Sequence, residues 1–156
     1  MTPTELISSS PEETMEIGRQ IAASLRAPVL VLLSGDLGSG KTTISKGIIS
    51  GLGAAREEDV TSPTFTLVHV FRGPVRVYHV DLYRIEGLHD LESLGLEDAF
   101  ADPGVVIIEW AERFTLRTDW PQVVIHLQHL EADTRLITIT PSTNWAGQPV
   151  SGKAFR

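Results

Sequence analysis

The stretch Gly35-Asp36-Leu37-Gly38-Ser39-Gly40-Lys41-Thr42, followed by Thr43, constrains this chain more than any other. It satisfies G-x-x-x-x-G-K-[ST], the loop that wraps nucleotide phosphates in hydrolases and kinases. Each residue type has a physical reason. Glycines let the backbone turn tightly enough to point successive N–H groups at an anion. Lys41 reaches the β- and γ-phosphates as a point charge, and the Thr42 hydroxyl suits Mg²⁺. A helix starting there adds unpaired N–H groups and its dipole. Asp36, Leu37, Gly38, Ser39, Gly40, Lys41, Thr42 and Thr43 are the expected contacts to a nucleoside triphosphate, with Lys41 also catalytic.

The flanks supply the context that such a motif needs. Upstream, Val29-Leu30-Val31-Leu32-Leu33 is a short apolar run of the kind found in buried parallel strands. Downstream, Ile44, Ile48 and Ile49 recur at helical spacing between Thr42 and Leu52. Strand, glycine loop and helix therefore follow one another as a phosphate loop requires.

The remainder reads as a three-layer α/β fold with a mixed central sheet. Glu5 to Ser8 suits an edge strand. Ser10, Pro11 and Glu13 mark a helix start with a capping box, and the helix is expected to run to about Arg26 with Ile17, Ile21 and Leu25 inward. Phe65–Phe71 and Val75–Leu82, joined by Arg72-Gly73-Pro74, predict an antiparallel hairpin. Glu86 to Phe100 reads as helical or turn-like, with Leu88, Leu91 and Leu94 on one face. Val105 to Ile108 predicts a second buried strand, and Ala111 to Arg117 a short helix. Val123–Leu130 and Arg135–Thr140 alternate as a final hairpin. Residues 1–140 are read as one domain, and 141–156, polar and rich in Gly and Pro, as a frayed tail.

Composition narrows the function classes. At 156 residues the chain has room for one core. Cysteine is absent, so disulfides, thiolate metal sites and cysteine nucleophiles are excluded. Neither a secretory signal nor a membrane-length apolar run is visible, which makes the cytoplasm the expected location. The formal net charge of −7, with Lys and Arg scattered singly, argues against direct nucleic-acid binding. Any nucleic-acid role should run through a protein partner.

A phosphate loop needs a second acid near Mg²⁺ and a group that orients the attacking water. Glu109 follows Val105–Ile108 at the strand end where open α/β sheets place ligands, as a Walker B acid does; its alternative is a solvent-facing acid. Asp81, in His79-Val80-Asp81-Leu82-Tyr83-Arg84, is either part of the site or only a turn former. Thr61-Ser62-Pro63-Thr64 is either a γ-phosphate sensor or an ordinary loop. Trp110 either shields the nucleotide or fills the core. His69, His79, His126 and His129 lie in strand patterns and read as structural.

Four blocks together carry a resemblance: residues 35–43, Ser-Pro-Thr-Phe-Thr-Leu-Val at 62–68, His-Val-Asp-Leu-Tyr-Arg at 79–84, and Ile-Ile-Glu-Trp at 107–110. In order and spacing they resemble the TsaE (YjeE) family, over about residues 8–140. The resemblance implies an ATPase in tRNA N6-threonylcarbamoyladenosine biosynthesis, working with the TsaB–TsaD threonylcarbamoyltransferase complex and reaching tRNA through it. It implies that Thr42 and Glu109 hold Mg²⁺, that Asp81 organises the attacking water or the metal shell, and that Trp110 lies beside the nucleotide. Ala111 departs from the family's frequent proline, without touching the chemistry. A small-molecule kinase would need an arginine lid, which neither Arg84 nor Arg113 obviously forms. A GTPase would need Asn-Lys-x-Asp, which does not occur. With no arginine finger visible in cis, hydrolysis is expected to be slow without a partner.

Overall fold

A computed structural model of the chain describes residues 3–63, 67–116 and 118–142. Along it run β1 (Thr4–Ser8), α1 (Pro11–Ser24), β2 (Val29–Ser34), α2 (Lys41–Gly51), β3 (Val68–Arg72) and β4 (Arg76–Asp81). Then come α3 (Leu88–Ser93), α4 (Leu96–Ala101), β5 (Val105–Glu109), β6 (Gln122–His129) and β7 (Arg135–Pro141). Single 3₁₀ turns occupy Glu57–Asp59 and Ala111–Arg113.

The strands form one sheet in the order β1-β7-β6-β2-β5-β4-β3. Strands β4, β5, β2 and β6 are parallel to one another and form its centre. The expected hairpins β3–β4 and β6–β7 are antiparallel, and β1 pairs antiparallel with β7. The sheet is therefore mixed.

Alternation along the central strands explains the three layers. Val29, Val31 and Leu33 of β2 face one way and pack with Ile17 and Ile21 of α1 and Ile44, Ile48 and Ile49 of α2. Leu30 faces the other way, into a second cluster with Val80, Val106, Ile108, Leu96 and Ala99. A parallel strand covered on both faces has to be apolar throughout, as the β2 and β5 runs are.

Helix α1 begins as its sequence dictates. The Ser10 Oγ accepts from the Glu13 N–H at 3.1 Å, the Glu13 carboxylate accepts from the Ser9 N–H at 2.8 Å, and Pro11 takes the first helical position. The helix ends at Ser24, and Leu25 is its C-cap, half-buried rather than fully inside. α1 and α2 cross with their backbones almost touching. A Cβ at Gly18 would lie 2.5 Å from the Ile44 carbonyl oxygen, and one at Gly47 would collide with that of Met15.

Three local expectations need adjusting. The 86–100 segment is two short helices rather than one, broken at Gly95, whose φ of 68° ends α3 and starts α4. Leu88 lies 67% exposed instead of sharing the inward face of Leu91 and Leu94. The helix expected from Ala111 to Arg117 is only a 3₁₀ turn ending at Arg113. The start of the 65–71 run and residues 143–156 of the expected tail lie outside the described residues. No helix among the described residues is long and apolar enough to cross a membrane.

Candidate active site

The loop between β2 and α2 takes the form its glycines allow. Gly40, with φ 109°, is the N-cap of α2, and Gly35, with φ 142°, lies so close to the Leu127 carbonyl that any Cβ would clash. Both backbone conformations are left-handed-side geometries that L side chains resist. Lys41 is buried, and its Nζ donates to the carbonyls of Gly35 at 2.5 Å and Asp36 at 3.0 Å. The ammonium also sits 3.7 Å from the centre of the Trp110 ring, a cation–π contact. Burial pushes the Lys41 pKa below its ordinary value, opposed by the carboxylates of Glu112, Glu109, Asp81 and Asp36.

Parallel pairing of β4 with β5 places Asp81 directly beside Glu109. The Thr42 hydroxyl donates to Glu109 Oε1 at 3.0 Å, so the last strand residue of β5 meets the first turn of α2. Glu109 Oε2 lies 2.5 Å from His79 Nε2. The Asp81 carboxylate accepts from the Tyr83 N–H at 2.7 Å and from the Ser62 hydroxyl at 3.3 Å. Glu109 is almost fully buried rather than solvent-facing. Asp81 makes a local turn contact and also lines the cleft.

Lys41, Thr42, Ser62, Asp81 and Glu109 line one cleft of about 300 Å³ with Leu37, Gly38, Gly40, Thr43, Tyr83, Trp110 and Arg135. Asp36 contributes its carbonyl to Lys41 and to the Ser39 N–H. The Ser39 Oγ is buried with no hydrogen-bond partner. Leu37 stands 78% exposed at the rim. Trp110 both lines the cleft and packs on the second core cluster, with Tyr83 stacked obliquely on it at 4.8 Å. Its φ of 61° is unusual for a bulky residue and turns the chain sharply at the end of β5. Ser62 lines the cleft, whereas Thr64 of the same block lies outside the described residues.

The donor set suits Mg²⁺ held jointly with phosphate oxygens. Among the described residues no group of three or more His, Asp, Glu or Cys could hold a metal alone. A hydroxyl and a carboxylate already in contact are the sparse protein contribution that Mg²⁺ commonly receives beside phosphates and water. His126 pairs with Ser34 and His129 with the Ala132 carbonyl, as structural histidines do.

Two residues escaped sequence reasoning. Glu112, three residues past β5, accepts from the Gly35 N–H at 3.0 Å. Arg135, at the start of β7, donates to the carbonyls of Ser39 at 3.1 Å and Gly38 at 3.2 Å, and so braces the loop from across the sheet. Arg113, considered above as a lid residue, instead donates to the carbonyls of Tyr83 and Ile85.

A family model described as "Threonylcarbamoyl adenosine biosynthesis protein TsaE" matches residues 8–137. Proteins named "tRNA threonylcarbamoyladenosine biosynthesis protein TsaE" are similar along most of their length. That of Treponema pallidum is 37% identical, covering 85% of this chain and 97% of the relative. That of Bacillus subtilis is 38% identical, covering 86% and 84%. The crystal structure of Bacillus subtilis YdiB superposes with a TM-score of 0.69 at 31% identity, covering 92% of this chain and 88% of that one. On its loop, its strand-end acids and this similarity, the chain belongs to the TsaE family.

Proposed function

We propose that the protein is a Mg²⁺-dependent ATPase of tRNA threonylcarbamoyladenosine biosynthesis, acting in the cytoplasm with a TsaB–TsaD complex. The observation that carries this reading is the convergence of Lys41, the Thr42–Glu109 pair and Asp81 on one cleft at the loop-bearing end of the parallel strands. Loop N–H groups and Lys41 bind the phosphates; Thr42 and Glu109 would hold Mg²⁺, which would supply charge neutralisation to the phosphates when bound. Asp81, fixed by Tyr83 and Ser62, orients the attacking water. Trp110 excludes solvent on the side of Lys41.

Arg135 is an arginine of the cleft, but its guanidinium bonds loop carbonyls. Stabilising the transferring phosphoryl group therefore falls to Lys41, the loop and the metal, and hydrolysis by the protein alone is slow. An acidic chain also gains contact with tRNA through its partners rather than directly.

The test is ATP and GTP turnover by the purified protein, alone and with TsaB and TsaD from the same source. ATP-selective hydrolysis that rises with the pair is the expected result. Turnover indifferent to the pair would break the coupling and direct attention to small phosphoryl acceptors. Lys41→Ala should lose tight ATP binding, and unchanged affinity would sink the phosphate-loop assignment.

A further inference from the structure

His79 is the one fully buried imidazole among the described residues, and it lies inside the sheet rather than in the cleft lining. It sits on β4 opposite Ile107 of β5, one pleat before the Asp81–Glu109 pair. Residues two apart on a strand share a face, so His79 and Asp81 point the same way. The His79 Nε2 reaches Glu109 Oε2 at 2.5 Å, while Glu109 Oε1 accepts from Thr42. The other ring nitrogen, Nδ1, is buried with no hydrogen-bond partner. A carboxylate oxygen only accepts, so the contact requires Nε2 to carry a proton and donate it to Glu109.

We propose that His79 is a positioning residue: by occupying Oε2 of Glu109 it commits Oε1 to the Thr42 side, and so sets the Mg²⁺ dependence of nucleotide binding. This rests on the nucleotide reading above. A carboxylate free to rotate would present either oxygen, or both, to a cation. Pinned at one oxygen and met by Thr42 at the other, Glu109 enters the site with a single orientation. Groups standing behind a metal ligand in this way typically control affinity by 10- to 100-fold, on the order found for other outer partners.

Two substitutions separate this from a space-filling role. Gln places its amide nitrogen near the position of His Nε2, and Asn places its own near Nδ1. His79→Gln should keep the donor, and His79→Asn should lose it. The measurement is calorimetric binding of a non-hydrolysable ATP analogue to the full chain, in EDTA and across a Mg²⁺ series. His79→Asn is expected to bind as wild type does in EDTA and to need roughly tenfold more Mg²⁺ for the same tightening. His79→Gln should lie close to wild type. In a Glu109→Gln background, His79→Asn should add nothing further. If His79→Asn does not fold, His79→Leu removes the donor and carries the same comparison. Mg²⁺ curves identical for Asn, Gln and His at this position would overturn the proposal. So would equal losses in Gln and Asn, or an effect that persists when Glu109 is replaced. If wild type binds no analogue, the nucleotide reading fails and this inference with it. If binding is Mg²⁺-dependent and indifferent to residue 79, only this inference fails.

Discussion

At the scale of residues, the site is a chain of contacts ending on one carboxylate. Glu109 touches Thr42 through one oxygen and His79 through the other. Glu109→Gln keeps the shape and removes the charge. It should reduce ATP turnover by about 10²-fold or more while leaving nucleotide affinity in EDTA within a few-fold of wild type. Parallel losses in both would mean that Glu109 shapes the loop instead. Lys41, Thr42 and Glu109 could be picked out in the sequence because each stands at a recognisable junction of loop and helix or at a strand end. The junction alone left Asp81 open between site and turn, and only the resemblance pointed it to the site. Glu112 and Arg135 could not be picked out. Their partners in the loop are 77 and 96 residues away, and no local pattern reports contacts made only after the sheet closes.

At the scale of elements, helices α1 and α2 are held by the absence of side chains at their crossing. Gly47→Ala would drive a methyl into the Met15 carbonyl, backbone that cannot swing aside. The expected loss is about 1–3 kcal/mol by denaturant unfolding, with the unfolding slope unchanged. A variant as stable as wild type would show that the crossing can open. Removing the α1 cap by Ser10→Ala should cost about 1 kcal/mol in the same assay. That cap could be read from Ser, Pro and Glu in order. The break at Gly95 could not, because Leu88, Leu91 and Leu94 before it fit one helical face, and the packing of Leu96 and Ala99 on the second core cluster shows that the chain turns.

At the scale of the whole molecule, the sheet separates two apolar clusters, and the cleft lies across the ends of the strands between them. A ligand bound there touches groups from β4, β5, α2 and β7 together. Binding should therefore stabilise the fold as a unit. At a roughly hundredfold excess over Kd, Mg²⁺–ATP analogue adds about 2.7 kcal/mol, which thermal unfolding reads as a rise in Tm of several degrees. Lys41→Ala should show no such rise at the same concentration; a matching rise would place the ligand elsewhere. The mixed order of the sheet was foreseeable from the two short turns at Gly73 and 131–134, which only antiparallel neighbours permit.

The pairing of Asp81 with Glu109 has one more consequence. Neither acid chooses its own neighbour: the spacing between them is inherited from hydrogen bonds that begin four residues earlier, at Val77 and Val105. Adding or deleting one residue within either strand would rotate its acid to the opposite face while leaving every side chain of the site chemically intact. In this chain, strand length is thus as much a determinant of chemistry as residue identity. Insertions belong in the 54–59 connection, whereas a single one inside 77–81 or 105–109 should silence the site.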